Sequence, residues 1–358
     1  MPSTFRVASF NCENLFSRAK VLNLANSQVA ADALTKIDQL NKLLHKATYT
    51  AADKQKMVAL YAEVETYVAM RENRGKVFNK AKTQVVAQGA SDWDGELEFK
   101  RAKFSEVTRE NTAKVIKAVK ADVACLVEVE DRPALAAFNS ELLDSRKFKF
   151  PMLIDGNDPR GIDVGVLSNF PILSLKTHIF DGSGNSRTFS RDCLRVEMEL
   201  PNQKRLHLLC NHFKSKSGGD AASDPRRRRQ AERVAEILQE YDLDQDLVIV
   251  AGDLNDTPDA TSPLRPLLDV AGLHDVLELQ FPHDAPARWT YHFQGVQQID
   301  YLLVSKPLKS AFVQAGVERR GIHRLNVITQ GQEAQFDTVT SAANAASDHG
   351  AVWAEFSL

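Results

Sequence analysis

Residues 247–258 read LVIVAGDLNDTP: five apolar residues, a glycine, and then a carboxylate, Asp253, two positions from a carboxamide, Asn255. The apolar run has the length and β-branched content of a buried strand, and the glycine marks its end. Residues two apart share a face of extended chain, so the two polar side chains are expected to point together where the strand stops. Open sheets commonly carry functional groups there, because the strand fixes the backbone while the loop beyond it leaves the side chains accessible. A carboxylate and a carboxamide paired in this way can hold or deprotonate a water beside a phosphate. The competing reading is an Asx turn that caps the strand.

The pattern recurs along the chain. In VACLVEVE (123–130) Glu128 and Glu130 follow five apolar residues and share a face, and a carboxylate at the mouth of a buried strand is costly unless it is paired or metal-bound. Asn11 closes FRVASFN (5–11), and Asp348 stands before HGAVWAEF (349–356). Oxygen ligands of this kind suit magnesium, manganese or calcium and do not suit zinc. Two histidines join them. His212, in LLCNHFKSK (208–216), shares a face with Lys214 and Lys216, and His349 adjoins Asp348 with Asp300 of QQIDYLLVS (297–305) available to orient it. A histidine beside a carboxylate at a strand start has the form of an activated base.

Between these strand-like runs lie helical patterns at about 105–120 (Val115, Ile116, Val119) and 225–240 (Val234, Ile237, Leu238). Strands outnumber helices and occupy both ends of the chain, which predicts a two-layered sheet core covered by helices. One segment departs from this rhythm. Residues 28–74 carry Leu34, Ile37, Leu40 and Leu44, then Met57, Leu60, Tyr61, Val64 and Val68, with Gly75 as a helix stop, and read as an inserted antiparallel helical hairpin. A run of four arginines, 226–229, follows Asp224 and Pro225, which read as an N-cap and first-turn proline. Cations at the positive end of a helix dipole are unfavourable. With Lys214, Lys216 and the loop at Gly218 and Gly219 they suggest a bound phosphate, against the plainer reading of a solvated charged face.

The chain has 358 residues, 43% hydrophobic and 26% charged, as expected of a globular protein with a sizeable core. Cys12, Cys125, Cys193 and Cys210 lie far apart inside apolar runs and are expected as buried small hydrophobes. No stretch has the roughly 18 apolar residues of a membrane span. The first residues read as a strand and not as a signal peptide, so a cytoplasmic location is expected. The net charge of −2 gives no global attraction to nucleic acid, so any such binding requires a local basic patch.

Taken in order, SFNCENLF, CLVEVE, RGIDVGVLSN, NHFKSK, GDLND, IDYLLVS and SDH resemble the endonuclease/exonuclease/phosphatase superfamily. The resemblance covers residues about 5–16 and 105–358 and leaves an insertion at about 20–104 outside it. It implies an α/β fold, a four-layered α/β sandwich with two central, mostly antiparallel sheets, and a metal-dependent phosphoric ester hydrolase. By this resemblance Asn11, Glu128 and Asp348 hold a divalent metal, Mg2+ or Mn2+ with Ca2+ as an alternative, and Glu13 is an outer metal contact. Asp253 and Asn255 position or deprotonate the attacking water. His349, oriented by Asp300, binds the scissile phosphate and acts as base or transition-state stabiliser. His212 contacts the phosphate or protonates the leaving oxygen, and Arg191, in SRDCLRV (190–196), matches a phosphate-contacting arginine.

The expected substrate is a phosphodiester, with nucleic acid first. The arginine run and the aromatics of RWTYHF (288–293), where Trp289 and Tyr291 can stack on bases, favour it, although a buried aromatic anchor is an equal reading of that pair. A phosphatase or phosphodiesterase for a small ester or lipid head group shares every one of these residues. A binding scaffold on an inactive fold is disfavoured, since none of the expected positions is lost.

Overall fold

The computed structural model describes residues 4–15, 20–23, 27–101, 107–158, 160–183, 186–216 and 219–358. Its chain divides into two compact units, residues 1–16 with 104–358, and residues 17–103.

The first unit is built on two six-stranded sheets. One has the order Phe312–Glu318, Ala351–Ser357, Thr4–Leu15, Val123–Val129, Asp163–Ser168, Phe150–Leu153, and the other Leu273–Asp275, Asp300–Ser305, Leu247–Asp253, Arg205–His212, Cys193–Glu199, Ile172–Lys176. Both follow the same rule: every neighbouring pair is antiparallel except the central one. In the first sheet that parallel pair is Thr4–Leu15 with Val123–Val129, and in the second it is Arg205–His212 with Leu247–Asp253. A parallel pair needs a crossover rather than a hairpin, and the second is supplied by the helix Asp220–Leu238.

Period-two alternation sorts the strand side chains into layers. Val123, Cys125 and Val127 face Leu206, Leu208, Cys210, Ile249 and Ala251 in the core between the sheets. Ala124 and Leu126 turn the other way, onto Val115, Ile116 and Val119 of the helix Val107–Val119 and Leu135 and Phe138 of the helix Arg132–Glu141. On the far side, Ala231, Val234, Ile237 and Leu238 cover Leu209, Val248, Val250 and Leu303. The result is helices, sheet, sheet, helix, the four layers expected. All four cysteines are buried and unpaired.

The helix Asp220–Leu238 begins earlier than Asp224 and Pro225 suggested, and Pro225 lies inside it. The second unit also differs from a purely helical insert. Its helices Ser27–Leu44 and Ala51–Val64 share a core with two paired strands, Val68–Arg74 and Asp94–Phe99. The helical spacing that included Val68 runs out at Val64. Val68 opens a strand, and Gly75, at φ +71, follows that strand and not a helix. Among the described residues no helix is long and apolar enough to cross a membrane.

Gly252 joins the strand of the opening motif to Asp253. It has φ +137, and a Cβ there would lie 1.9 Å from the carbonyl oxygen of Asn211 on the parallel neighbour. Gly252→Ala is therefore expected to lower stability by about 2 kcal/mol or more, read as a lower denaturant midpoint. Gly295→Ala, where a Cβ meets nothing within 4 Å, is the control and should leave the midpoint in place.

Candidate active site

Each parallel pair delivers two neighbouring chain ends to the same edge of its sheet. In the first sheet Asn11 is in register with Val127, one residue before Glu128. In the second His212 is in register with Asp253, which opposes Asp300 on its other side. The last strand, antiparallel to the first, begins where the first ends and so brings Asp348 and His349 to the same edge. Asn11, Glu13, Glu128, His212, Lys216, Asp253, Asn255, Asp348 and His349 all line one cavity of ≈ 740 Å³.

The two sheets meet through side chains at this edge. Asn11 Nδ2 donates to Asp253 Oδ2 at 3.1 Å. Asn255 donates its backbone N–H to Asp253 Oδ1 at 2.8 Å and its amide to Asp253 Oδ2 at 3.0 Å, so three donors hold the carboxylate. Asn255 reaches it from a left-handed backbone, φ 58, which corrects the expectation of an extended chain: the pairing comes from an Asx turn. Glu13 and Glu128 are also left-handed, at φ 46 and 64, and each sits where the sheet register shifts. Non-glycine residues seldom adopt this region, and the strain collects where side chains are re-aimed. Glu130, expected on the face of Glu128, does not line the cavity.

His349 Nδ1 lies 2.8 Å from Asp300 Oδ2, and Thr290 Oγ1 donates to the same oxygen at 2.7 Å while accepting from the backbone of Ile299 and Asp300. His349 Nε2 is 3.7 Å from Asp348 Oδ1. Burial alone would lower the His349 pKa. The charge and hydrogen bond of Asp300, with Asp253 and Asp348, outweigh it and raise the pKa to about 10. His212 goes the other way: burial, then the charges of Arg191, His349 and Arg160, push it well below the ordinary histidine value. Its Nε2 is 3.8 Å from Glu128 Oε1 and 3.7 Å from Asp253 Oδ2.

Glu13, Glu128, Asp253 and Asp348 are all held above the usual carboxylate range. Burial is the largest cause for each, and the charge of Asp348 adds to it at Glu13 and Glu128. Crowded carboxylates raised in this way fit a divalent cation, which would offset both burial and mutual repulsion, and an oxygen-rich set suits a hard ion. Asp253, Asp300 and His349 also offer ligand atoms within 4.8 Å of one another.

Several expected residues lie elsewhere. Arg191 is buried behind the cavity, its Nη1 donating to the Phe213 carbonyl and its Nε 3.0 Å from Asp158, so it acts on His212 and Glu128 through its charge. Lys214 Nζ donates to the Ser215 carbonyl, and only Lys216 of the two lysines lines the cavity. Three of the four arginines of the run are engaged within the protein. Arg227 is fully buried and bonded to Asp224 and Asp256, Arg228 pairs with Glu232, and Arg226 donates to the Arg187 carbonyl. Gly218 lies outside the described residues. Trp289 is a core residue beneath Arg319, not a stacking platform. Tyr291 stands in the cavity wall with its ring 4.7 Å from that of His349. The sequence reading missed Phe293, two residues on, 69% exposed and lining the same cavity. An aromatic in a loop beside Gly295 was the available signal.

Two facing sheets bring buried carboxylates and two histidines to one edge, and a family match makes the protein a phosphoric ester hydrolase. A model of the endonuclease/exonuclease/phosphatase family matches residues 99–349, and the chain belongs to that family, a superfamily of metal-dependent phosphodiesterases and nucleases. An endonuclease/exonuclease/phosphatase family protein from Bacteroides thetaiotaomicron is similar over 100% of this chain and 99% of its own, with TM-score 0.52 and 14% identity. Truncated Caenorhabditis elegans TDP2 is 23% identical over 72% of this chain and 93% of its own, with TM-score 0.49. No curated protein sequence matches the chain.

If the raised carboxylates hold a cation only in the folded protein, magnesium stabilises it, by about 2.7 kcal/mol at a hundredfold excess over the dissociation constant. Thermal melts should show Tm rising with magnesium in the unaltered protein and rising far less in Glu128→Gln. Equal shifts in both would exclude Glu128 as a ligand.

Proposed function

We propose that the enzyme is a divalent-metal-dependent nuclease that cleaves the phosphodiester backbone of DNA or RNA by in-line attack of water. The observation that carries this reading is the space beyond the phosphate site. A second cavity of ≈ 580 Å³ shares Glu13, Phe293 and Asp348 with the first and continues over Ile322, Val327 and Ile328, past His323 and Arg324. A phosphomonoester needs no such extension. A polymer does, and exposed Phe293 on the ridge shared by the two cavities offers a face on which a base can stack.

In this reading Asn11, Glu128 and Asp348 hold the metal, with Glu13 as an outer contact. The ion supplies Lewis acidity and neutralises charge on the phosphoryl oxygens. Asp253 is fixed by Asn11 and Asn255, and its raised pKa suits it to accept a proton from the attacking water. His349, held by Asp300, which Thr290 in turn holds, presents Nε2 to the phosphate and stabilises the negative charge of the transition state. His212, kept neutral by burial, donates a hydrogen bond to a phosphoryl or leaving oxygen. Lys216, on the cavity wall, adds a positive charge for the substrate.

Supercoiled plasmid and single-stranded oligonucleotides, incubated with magnesium or manganese and with or without chelator, test the proposal beside a panel of small phosphoesters. Nucleic acid is expected to be cut only with metal. Asp253→Ala and His349→Gln should lower turnover by on the order of 10²–10⁴, and Phe293→Ala should raise KM for nucleic acid about tenfold. Phosphate release from a small ester with no cleavage of any nucleic acid would replace this reading with a phosphatase, and full activity in Asp253→Ala would remove its assigned role.

A further inference from the structure

The net charge of −2 conceals a division. Residues 17–103 carry 15 Lys and Arg against 10 Asp and Glu, a net of +5, so the rest of the chain carries −7. Within this basic unit most acids are already engaged. Lys36 bonds Glu63, Lys42 bonds Asp38, Lys46 bonds Asp53, and Arg71 bonds Glu96 and Glu98. Glu72 takes Lys76 at 3.1 Å, Lys82 at 3.9 Å and the backbone of Val77. The excess positive charge gathers in residues 74–82, RGKVFNKAK. Arg74 and Lys80 are exposed there and make no ion pair with a described residue, although Asp94 opposes Arg74 in the strand register.

This segment is held in shape. Phe78 and Val77 are buried in the core of the unit, and Phe78 bridges to Val85. Asn79 Oδ1 accepts from the backbone of Thr83 and Gln84. Lys82 lies 5.6 Å from the Phe78 ring and 6.0 Å from that of Tyr61. A cluster of cations on a held backbone, in a unit with an excess of positive charge, is matched to a long polyanion, and neutralising several phosphates at once releases their counterions.

We propose that the loop at residues 74–82 is a binding surface for the phosphate backbone of nucleic acid, built from residues other than those of the candidate active site. The inference rests on the nuclease reading, for which it supplies a local basic patch. It contacts backbone and not bases, so it confers affinity without sequence preference.

The test uses the full chain with magnesium present and His349→Gln to silence cleavage. Binding of a labelled oligonucleotide is measured between 50 and 200 mM salt, the range over which such contacts weaken steeply. Arg74→Gln/Lys76→Gln/Lys80→Gln is expected to flatten the plot of log affinity against log salt by about 2 to 3 relative to the parent. The double variant Arg74→Gln/Lys80→Gln, which breaks no ion pair, should flatten it by about 2 and guards against a folding defect in the triple variant. Equal slopes in parent and double variant would overturn the proposal. Loss of binding to vesicles of phosphatidylserine and phosphatidylcholine, with the oligonucleotide slope unchanged, would also overturn it by assigning the surface to a membrane. Equal slopes with plasmid cleavage intact sink this inference alone. A flattened slope with no cleavage of any nucleic acid by the unaltered enzyme sinks the nuclease reading and leaves the surface.

Discussion

Where two strands run parallel at the middle of a sheet their carboxyl ends leave on the same side, and in this fold that constraint operates twice, in sheets that face each other. It sets Asn11 beside Glu128 and His212 beside Asp253, before any side-chain contact is considered. The hydrogen bond from Asn11 to Asp253 then ties one edge to the other. With antiparallel central pairs, the same residues would end at opposite edges. The alternation that fills the core between the sheets therefore also decides where the polar ends emerge.

The site is kept at a cost in backbone conformation. Gly252, Glu13, Glu128 and Asn255 all lie at positive φ within a few residues of a strand end. Gly252 can do so freely, whereas the other three are retained because neighbours hold them: Glu13 N–H donates to Asn11 Oδ1, the Glu128 side chain hydrogen-bonds with that of Asn11, and Asn255 makes three hydrogen bonds to Asp253 and the Phe213 carbonyl. The same neighbours bury the carboxylates, so that strain, desolvation and like charge fall on one set of residues. A cation is the simplest relief for all of these carboxylates together.

Much of this was legible in the sequence, because a polar residue that ends a run of five apolar ones announces both a buried strand and an exposed chain end. Asp253 and Glu128 stand out in that way, the approach of His349 to Asp300 follows from a carboxylate available beside a strand-start histidine, and the four layers agree with what the family resemblance implies. What failed depended on contacts distant in sequence. The arginine run looked like an anion site because Asp256, twenty-nine residues beyond its partner Arg227, cannot be seen beside it in the sequence. Trp289 looked available for stacking because nothing local shows Arg319 above it. Val68 continued a helical spacing, and only its pairing with Phe99 makes it a strand. The short edge strands Phe150–Leu153 and Ile172–Lys176 lacked the length or alternation to declare themselves.

Residues from both sheets are proposed to converge on one ion and one phosphate. Diffraction from crystals grown with manganese and a non-hydrolysable oligonucleotide phosphorothioate measures this directly. An anomalous peak is expected at about 2.0–2.6 Å from a Glu128 oxygen, the range for hard cations on carboxylates, with the phosphorothioate within hydrogen-bonding reach of His349. Manganese bound away from Glu128 and Asn11, or a phosphorothioate seated beyond the reach of both His349 and Asp253, would contradict it.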